Sequence, residues 1–139
     1  KFSRGLGLFT ALEYIPPNEL PDQEYPFLLS TGRVLYHYHT GTMTTRARGP
    51  VERCPESLVE IHPEDAGKLG IADGQKVRVT SRRGTVEVKA RITEKSAPGS
   101  IFMNFHFTEA PVNFLTNPAL DPTGKIPEYK VCAVKLEAA

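Results

Sequence analysis

Residues 62–92, HPEDAGKLGIADGQKVRVTSRRGTVEVKARI, combine a short helix with a pair of strands. His62 stands at the cap position, Pro63 at the first helical position and Gly70 at the stop, a series that predicts a helix of about two turns at most. Acidic residues in the first turn favour the same start because they complement the helix dipole. We therefore expect the helix to begin directly after His62 and to end before Gly70.

The segment after this helix alternates apolar and polar residues with the period of a β-strand. Residues 75–81 place Val77 and Val79 on one face, and residues 86–92 return with apolar and charged side chains on opposite faces. The intervening Arg82-Arg83-Gly84 has the composition of a turn. The stretch predicts a β-hairpin with one face in a core and the other in water.

Short strands also account for most of the remaining chain. Four further segments have strand composition: residues 27–30, 58–61, 100–107 and 129–136. Residues 110–122 carry three prolines, which predict an irregular but ordered loop. Six or so strands with one small helix favour a closed or nearly closed β-barrel over a doubly wound sheet. Side chains fill so small a barrel, and a ligand must then lie across a mouth or an outer groove, on loops that leave strand ends.

Length and charge restrict the class of protein. A chain of 139 residues suits one domain, and its 17 basic and 16 acidic residues give a net charge of only +1. Nucleic-acid binding is not expected, because a general phosphate-backbone binder needs a strong positive field. No apolar run is long enough for membrane insertion. Cys54 and Cys132 form no disulfide framework, which favours a reducing, cytoplasmic compartment, with the periplasm as the alternative.

Residues 1–25 have a different composition from the rest. Their run YIPPNELP, residues 14–21, cannot continue a helix or a central strand, because proline fixes φ and lacks an N–H donor. We expect an extended arm that enters from a preceding domain, followed by one domain over residues 26–139. A start at Lys1 rather than Met agrees with a piece of a longer polypeptide.

Two loop segments carry chemistry that a core does not need. The first is TGRVLYHYHTGTMTTR, residues 31–46, and the second is residues 104–117 with its asparagines, His106 and Thr116. His37 and His39 could be two metal ligands, but no third or fourth ligand stands at a suitable spacing, so no protein-ligated metal is predicted. No GxSxG segment supports a nucleophilic serine.

Anion binding is the chemistry these segments suit best. Arg33 offers a two-pronged donor to a phosphate and Lys130 a point charge, while hydroxyl and imidazole groups add further donors. Tyr36, Tyr38 and Phe105 offer ring faces for a flat heterocycle.

Four stretches together resemble one known family. They are LSTGRVLYHYHTGTMT at 29–44, VEIHPEDAGKLGI at 59–71, VNFLT at 112–116 and PEYKVCAV at 127–134. In order and spacing they are similar to the C-terminal, molybdopterin-dinucleotide-binding domain of molybdenum and tungsten oxidoreductases, and most similar to that of the formate dehydrogenase catalytic α subunit. The resemblance covers nearly the whole chain, and it includes the proline-rich arm.

This resemblance implies a fold and a ligand. The fold is mainly β, a double-psi β-barrel with one or two short helices. The ligand is a bis(molybdopterin guanine dinucleotide) cofactor with molybdenum or tungsten, of which this domain covers one side while other domains of the parent enzyme hold the rest. Matched position by position, the cofactor-binding residues are Thr31, Arg33, His37, His39, Phe105, Asn113, Tyr129 and Lys130. Phe105 and His39 stand where some relatives carry tyrosine and serine.

The resemblance assigns no catalytic residue and no metal ligand to this chain. Both belong to other domains in the family, as does an iron–sulfur cluster, so we expect the isolated fragment to be inactive and its partners to be the remaining domains of the parent subunit. Two alternatives stay open. One is a stand-alone double-psi barrel, a subunit or adaptor that binds a protein or nucleotide partner. The other, within the family, is a nitrate reductase or another molybdopterin oxidoreductase.

Overall fold

The computed structural model describes residues 2–139, so that Lys1 of the predicted arm lies outside the described residues. The six strands found there are β1 (Phe27–Gly32), β2 (Leu58–Ile61), β3 (Lys76–Thr80), β4 (Thr85–Ile92), β5 (Ser100–Asn104) and β6 (Val131–Ala138). The two α-helices are α1 (Arg48–Arg53) and α2 (Pro63–Leu69), and two single 3₁₀ turns cover Thr44–Arg46 and Val112–Phe114.

The six strands close into a barrel in the order β1-β5-β2-β4-β3-β6. The pairs β1·β5 and β2·β4 are parallel, and the other four pairs are antiparallel. This pattern is unchanged when β1, β2 and β3 are exchanged with β4, β5 and β6, and every strand has both of its neighbours in the other half of the chain. Two interlocked, equivalent halves of this kind make a double-psi β-barrel, which confirms the predicted fold.

The alternating side chains of the strands fill the barrel. In the β3–β4 hairpin, Val77, Val79, Val86 and Val88 are buried while the charged residues between them face water. The largest side chains with less than 2% exposure include Leu29, Val59, Ile61, Ile101, Met103 and Leu115. Because apolar groups occupy the interior, a ligand has to bind at the surface of the barrel, as the sequence predicts.

Helix α2 lies where the sequence places it. The Nδ1 atom of His62 accepts a hydrogen bond from the backbone N–H of Glu64 at 3.2 Å, and Gly70 ends the helix in the left-handed region at φ +66°. Asp65 is 4% exposed, and its Oδ2 atom accepts the backbone N–H of Gly99 at 2.6 Å. This contact fixes the helix against the connection between β4 and β5.

Three details differ from the sequence-based expectation. The resemblance implied one or two short helices, but the sequence patterns did not locate helix α1, since its six residues bury no side chain and give no apolar periodicity. Strand β5 ends at Asn104 rather than residue 107, because its partner β1 ends at Gly32, directly opposite. The closing strand begins at Val131 rather than residue 129. In both cases the residues assigned to strand ends belong to loops.

The arm has no helix or strand between residue 2 and residue 26. Its large apolar side chains are exposed, and Phe9 is 99% exposed. The arm is held near its end, where Glu19 and Asp22 pair with Arg82. Its entry from a preceding domain stays a prediction.

Within residues 2–139, none of the helices combines the length and the apolar character needed to cross a bilayer.

Candidate functional site

Two connections meet at one end of the barrel and enclose an open cleft of about 430 Å³. One is the loop that follows β1, and the other is the connection between β5 and β6, which contributes residues both after β5 and before β6. These strand ends lie together because β1 and β5 are parallel while β6 is antiparallel to β1. The lining residues are Arg33, His39, Thr40, Phe105, Asn113, Thr116, Pro127 and Tyr129. The cleft thus brings together five of the eight predicted site residues: Arg33, His39, Phe105, Asn113 and Tyr129.

Thr31 and Lys130 lie behind and beside the cleft. Thr31 is buried, its hydroxyl donates to the backbone oxygen of Tyr129 at 2.7 Å, and its backbone N–H donates to the oxygen of Lys130 at 3.2 Å. These bonds hold the loop before β6 against β1. The Nζ atom of Lys130 lies 6.0 Å from the centre of the Tyr129 ring, so the lysine is next to the cleft without lining it.

His37 is placed away from the cleft. It is 4% exposed, its Nε2 donates to the backbone oxygen of Cys54 at 2.8 Å, and its Nδ1 lies 2.9 Å from the hydroxyl of Thr44. Both ring nitrogens are therefore engaged inside the protein, and a direct contact with a ligand would require one of these bonds to break. Its observed role is to anchor the loop after β1, and its cofactor contact stays a prediction.

His106 anchors the same loop from the opposite side. Its ring is 1% exposed, and its Nε2 accepts the backbone N–H of Val34 at 2.9 Å. The Nδ1 atom must then carry the proton that it donates to the backbone oxygen of His39. Burial lowers the pKa of His106, opposed by the bond to His39, and the nearby His37, Arg33 and His39 lower it further. The neutral imidazole thus fixes both ends of the segment from Val34 to His39.

The predicted site residues did not include His106. The sequence singled out its loop, residues 104–117, but no pattern distinguishes a buried imidazole from an exposed one. His37 and His39, considered from the sequence as a possible pair of metal ligands, do not face the same way, because His39 has a left-handed backbone with φ +48°. This conformation turns His39 toward the cleft and leaves His37 in the interior.

The cleft is rich in hydrogen-bond donors. The guanidinium of Arg33 makes one weak contact with His39 Nδ1 at 3.4 Å, and the side-chain amide of Asn113 makes no hydrogen bond to another described residue. Among the described residues that line the cleft, none is acidic. Such a donor set, with Phe105 and Tyr129 supplying ring faces, fits a ligand that combines phosphate groups with a flat heterocycle.

A larger cavity of about 500 Å³ suits such a ligand less well. It lies where the arm crosses the barrel and is lined by seven residues, among them Glu19 and Arg82. The carboxylate of Glu19 already pairs with Arg82 and with Arg83, so little uncompensated positive charge remains there for an anion.

Metal-binding and thiol chemistry are not indicated in the part of the chain that the structure describes. No group of three or more His, Cys, Asp and Glu side chains between residues 2 and 139 is arranged to hold a metal ion. Burial raises the pKa of Cys132 to about 11, and burial also raises the pKa of Cys54. In both cases burial outweighs a nearby arginine, Arg91 for Cys54 and Arg83 for Cys132, so neither thiol has the lowered pKa of a nucleophile.

A double-psi barrel with a donor-rich cleft at one end has the architecture and side chains that suit a domain for an anionic, heterocyclic ligand. A family model described as "Molydopterin dinucleotide binding domain" matches residues 27–133, and the chain belongs to this family. The match includes all eight predicted site residues and ends within β6.

In relatives with high identity, the segment that matches this chain is one part of a longer protein. The chain is 56% identical to the F420-dependent formate dehydrogenase 1 subunit alpha of Methanococcus maripaludis over 133 residues, which are 96% of this chain and 20% of the relative. It is 48% identical to the nitrate reductase of Symbiobacterium thermophilum over 139 residues, with 97% of this chain and 18% of that protein covered. The chain spans about a fifth of the length of these relatives.

A solved structure has the same fold. Acetylene hydratase from Pelobacter acetylenicus superposes with a TM-score of 0.71 at 16% identity, covering 83% of this chain and 18% of that one. At this identity the similarity concerns the fold alone.

Proposed function

We propose that this chain covers one side of a bis(molybdopterin guanine dinucleotide) cofactor in the catalytic subunit of a formate dehydrogenase-like oxidoreductase. The donor-rich cleft without acidic lining residues carries the proposal. Identities of 56%, 55% and 51% to three F420-dependent formate dehydrogenase alpha subunits support the choice of substrate.

The residues of the cleft divide into three roles. Arg33 and His39 would donate to the pyrophosphate, where charge-assisted bonds are strongest. Asn113 and Thr116 would hydrogen-bond the polar edge of a heterocycle, and the ring of Tyr129 would contact its face. When bound, the cofactor supplies a redox-active metal held by dithiolene sulfurs. This chain then binds and orients the cofactor and keeps water from one side of it.

Other parts of the parent subunit would complete the enzyme. The ligand to molybdenum or tungsten, the residues that contact formate and an iron–sulfur cluster are assigned to those parts. The arm at residues 2–25, with its exposed apolar side chains, would join this domain to them. The parent subunit is proposed to be cytoplasmic.

Nitrate reduction is the second candidate. The nitrate reductase relative from Symbiobacterium thermophilum is 48% identical over the chain, so this domain alone does not determine the substrate. Turnover of the purified parent protein with formate and with nitrate, each with a dye as electron partner, distinguishes the two. Formate oxidation without nitrate reduction supports the first candidate, and the reverse result supports the second.

The cofactor-binding role is tested by Arg33→Ala in the parent polypeptide. Loss of a charged, two-pronged donor is expected to reduce affinity about tenfold or more, so metal and pterin per purified polypeptide should fall. Arg78→Ala is the matched control, since Arg78 lies on β3, outside the cleft, and makes only a 3.9 Å ion pair with Glu87. Unchanged metal and pterin content in Arg33→Ala would argue against the proposal.

A further inference from the structure

The loop that carries Asn113 and Thr116 is held from behind by Arg83. The Nε and Nη2 atoms of Arg83 donate to the backbone oxygen of Leu115 at 3.1 and 2.6 Å. Leu115 is fully buried and stands between the two cleft residues in sequence. The turn between β3 and β4, which contains Arg83 and Gly84, also packs directly on this loop, because a Cβ atom at Gly84 would lie 3.3 Å from the backbone oxygen of Phe114.

The same guanidinium connects this loop to the arm. Its Nη2 donates to Glu19 Oε1 at 3.0 Å, and its Nη1 donates to Glu19 Oε2. Glu19 Oε1 also accepts the backbone N–H of Ala133 in β6 at 2.9 Å. The side chains of Glu19 and Arg83 are only 14% and 24% exposed, so both are held in one geometry on the surface of the barrel.

Glu19 is charged in this network. Burial alone would raise its pKa, but the hydrogen bonds from Arg83 and Ala133, together with the charges of Arg83 and Arg82, lower the pKa overall. The ion pair is therefore intact at neutral pH.

A second contact connects the arm to the residues that precede β6. The backbone N–H of Asn18 donates to Glu128 Oε2 at 3.1 Å, and the side-chain amide of Asn117 donates to the same oxygen at 2.9 Å. Glu128 directly precedes Tyr129, which lines the cleft. The arm thus contacts the supports of both the 112–117 loop and the 127–130 loop.

We propose that the Glu19–Arg83 ion pair is a positioning element for ligand binding. It fixes the carbonyl of Leu115, and through it Asn113 and Thr116, so that the placement of the arm sets the geometry of the cleft. The inference rests on the proposed function of the cleft, and it adds residues that do not touch the ligand. A displaced arm would loosen the loop without altering any residue that lines the cleft.

The test compares two adjacent arginines in the parent polypeptide. Arg82 pairs with Glu19 at 3.2 Å and with Asp22, but it makes no hydrogen bond to residues 112–117. Arg83→Gln is expected to speed amide hydrogen exchange in residues 112–117 by about fivefold or more and to lower cofactor content by a similar factor. Arg82→Gln, the matched control, is expected to change both by less than about twofold, since its ion pairs are more exposed.

A second variant covers the case in which Arg83→Gln fails to fold. Glu19→Gln keeps the side-chain shape and an acceptor for Ala133 but removes the charge that orients Arg83. Like Arg83→Gln, it should raise amide hydrogen exchange in residues 112–117 and lower cofactor content. Exchange elsewhere in the barrel should stay unchanged, which separates positioning of the loop from a general loss of stability.

Several outcomes overturn the inference. Suppose that Arg33→Ala lowers cofactor content in the parent polypeptide. Unchanged amide exchange and unchanged cofactor content in Arg83→Gln and in Glu19→Gln would then refute the inference. Equal losses in Arg82→Gln and Arg83→Gln would show that only the stability of the turn matters. If Arg33→Ala leaves cofactor content unchanged, the proposed function fails, and the exchange data still report whether Arg83 orders the loop.

Discussion

His106 shows how one buried imidazole fixes the backbone of a binding loop. Each of its ring nitrogens bonds one end of the segment from Val34 to His39, which places Arg33 and His39 beside each other. The sequence predicts Arg33 as an anion donor from its side-chain chemistry, and it predicts Asn113 and Tyr129 through the family resemblance. It does not predict the buried anchors His37 and His106, since burial depends on long-range packing that no local pattern encodes.

The protonation of His106 should make stability depend on pH. Its pKa is lowered in the folded state, so below its ordinary value of 6.5 the unfolded chain binds a proton that the folded chain does not. The free energy of unfolding is therefore expected to fall as the pH drops below 6.5, with a slope of up to about 1.4 kcal/mol per pH unit. Urea denaturation of the chain between pH 5 and pH 8 measures this slope.

His106→Gln supplies the comparison for the pH experiment. Glutamine can still accept from Val34 and donate nearby, but it does not titrate. Its unfolding free energy should lack most of the decline between pH 6.5 and pH 5. An identical decline in both proteins would mean that another group is responsible.

Gly41 is a position where a single methyl group should be costly. Its φ is +77°, and a Cβ atom would lie 2.5 Å from the backbone oxygen of His106. Gly41→Ala is expected to lower the free energy of unfolding by about 2–4 kcal/mol, from backbone strain and overpacking together. Gly74→Ala is the matched control, because Gly74 has the same φ with no atom within 4 Å, and it should lose only about 1 kcal/mol. Equal losses would show that the close approach contributes nothing.

Among the elements, helix α2 and the β3–β4 hairpin follow their local sequence most closely. The cap at His62, the stop at Gly70 and the alternating valines make both elements recognisable from the local sequence. The ends of β5 and β6 do not follow from local sequence, because a strand ends where its partner ends. The loops around the cleft share this dependence, and for this reason sequence reasoning identified their residues better than their conformations.

Asp65 tests how firmly α2 is attached to the barrel. Its buried carboxylate accepts the backbone N–H of Gly99 at 2.6 Å, and removal of the acceptor leaves that N–H without a partner. Asp65→Ala is therefore expected to lower the free energy of unfolding by about 1.5–3 kcal/mol. Glu64→Ala changes an exposed acid in the same turn and should lose less than about 1 kcal/mol. Chemical denaturation of both variants decides, and equal losses would contradict the assigned role of Asp65.

At the scale of the whole molecule, the cleft at one end of the barrel is proposed to bind a ligand, and the catalytic groups are proposed to lie in other parts of the parent subunit. The resemblance predicts the family and the fold, because its four stretches keep their order over nearly the whole chain. The contacts of the arm with Arg83 and Glu128 could not be predicted, since they join residues more than sixty positions apart.

We expect the isolated chain to lack formate turnover. The lining residues include no carboxylate and no cysteine, and no metal-binding group occurs among residues 2–139. A purified sample of the 139-residue chain, assayed with formate and an electron-accepting dye, should show no rate above the buffer background. The parent protein under the same conditions is the positive control, and measurable turnover by the chain alone would refute the division of roles proposed above.

The interlocked pairing of the strands also limits how early the chain can fold during its synthesis. Since β1, β2 and β3 pair only with strands encoded later, no rung of the sheet can form on the ribosome until β4 has emerged, and β1 must wait for β5 and β6. More than half of these 139 residues are thus translated before their apolar side chains can be buried in the barrel. Nascent chains in this condition aggregate or recruit chaperones.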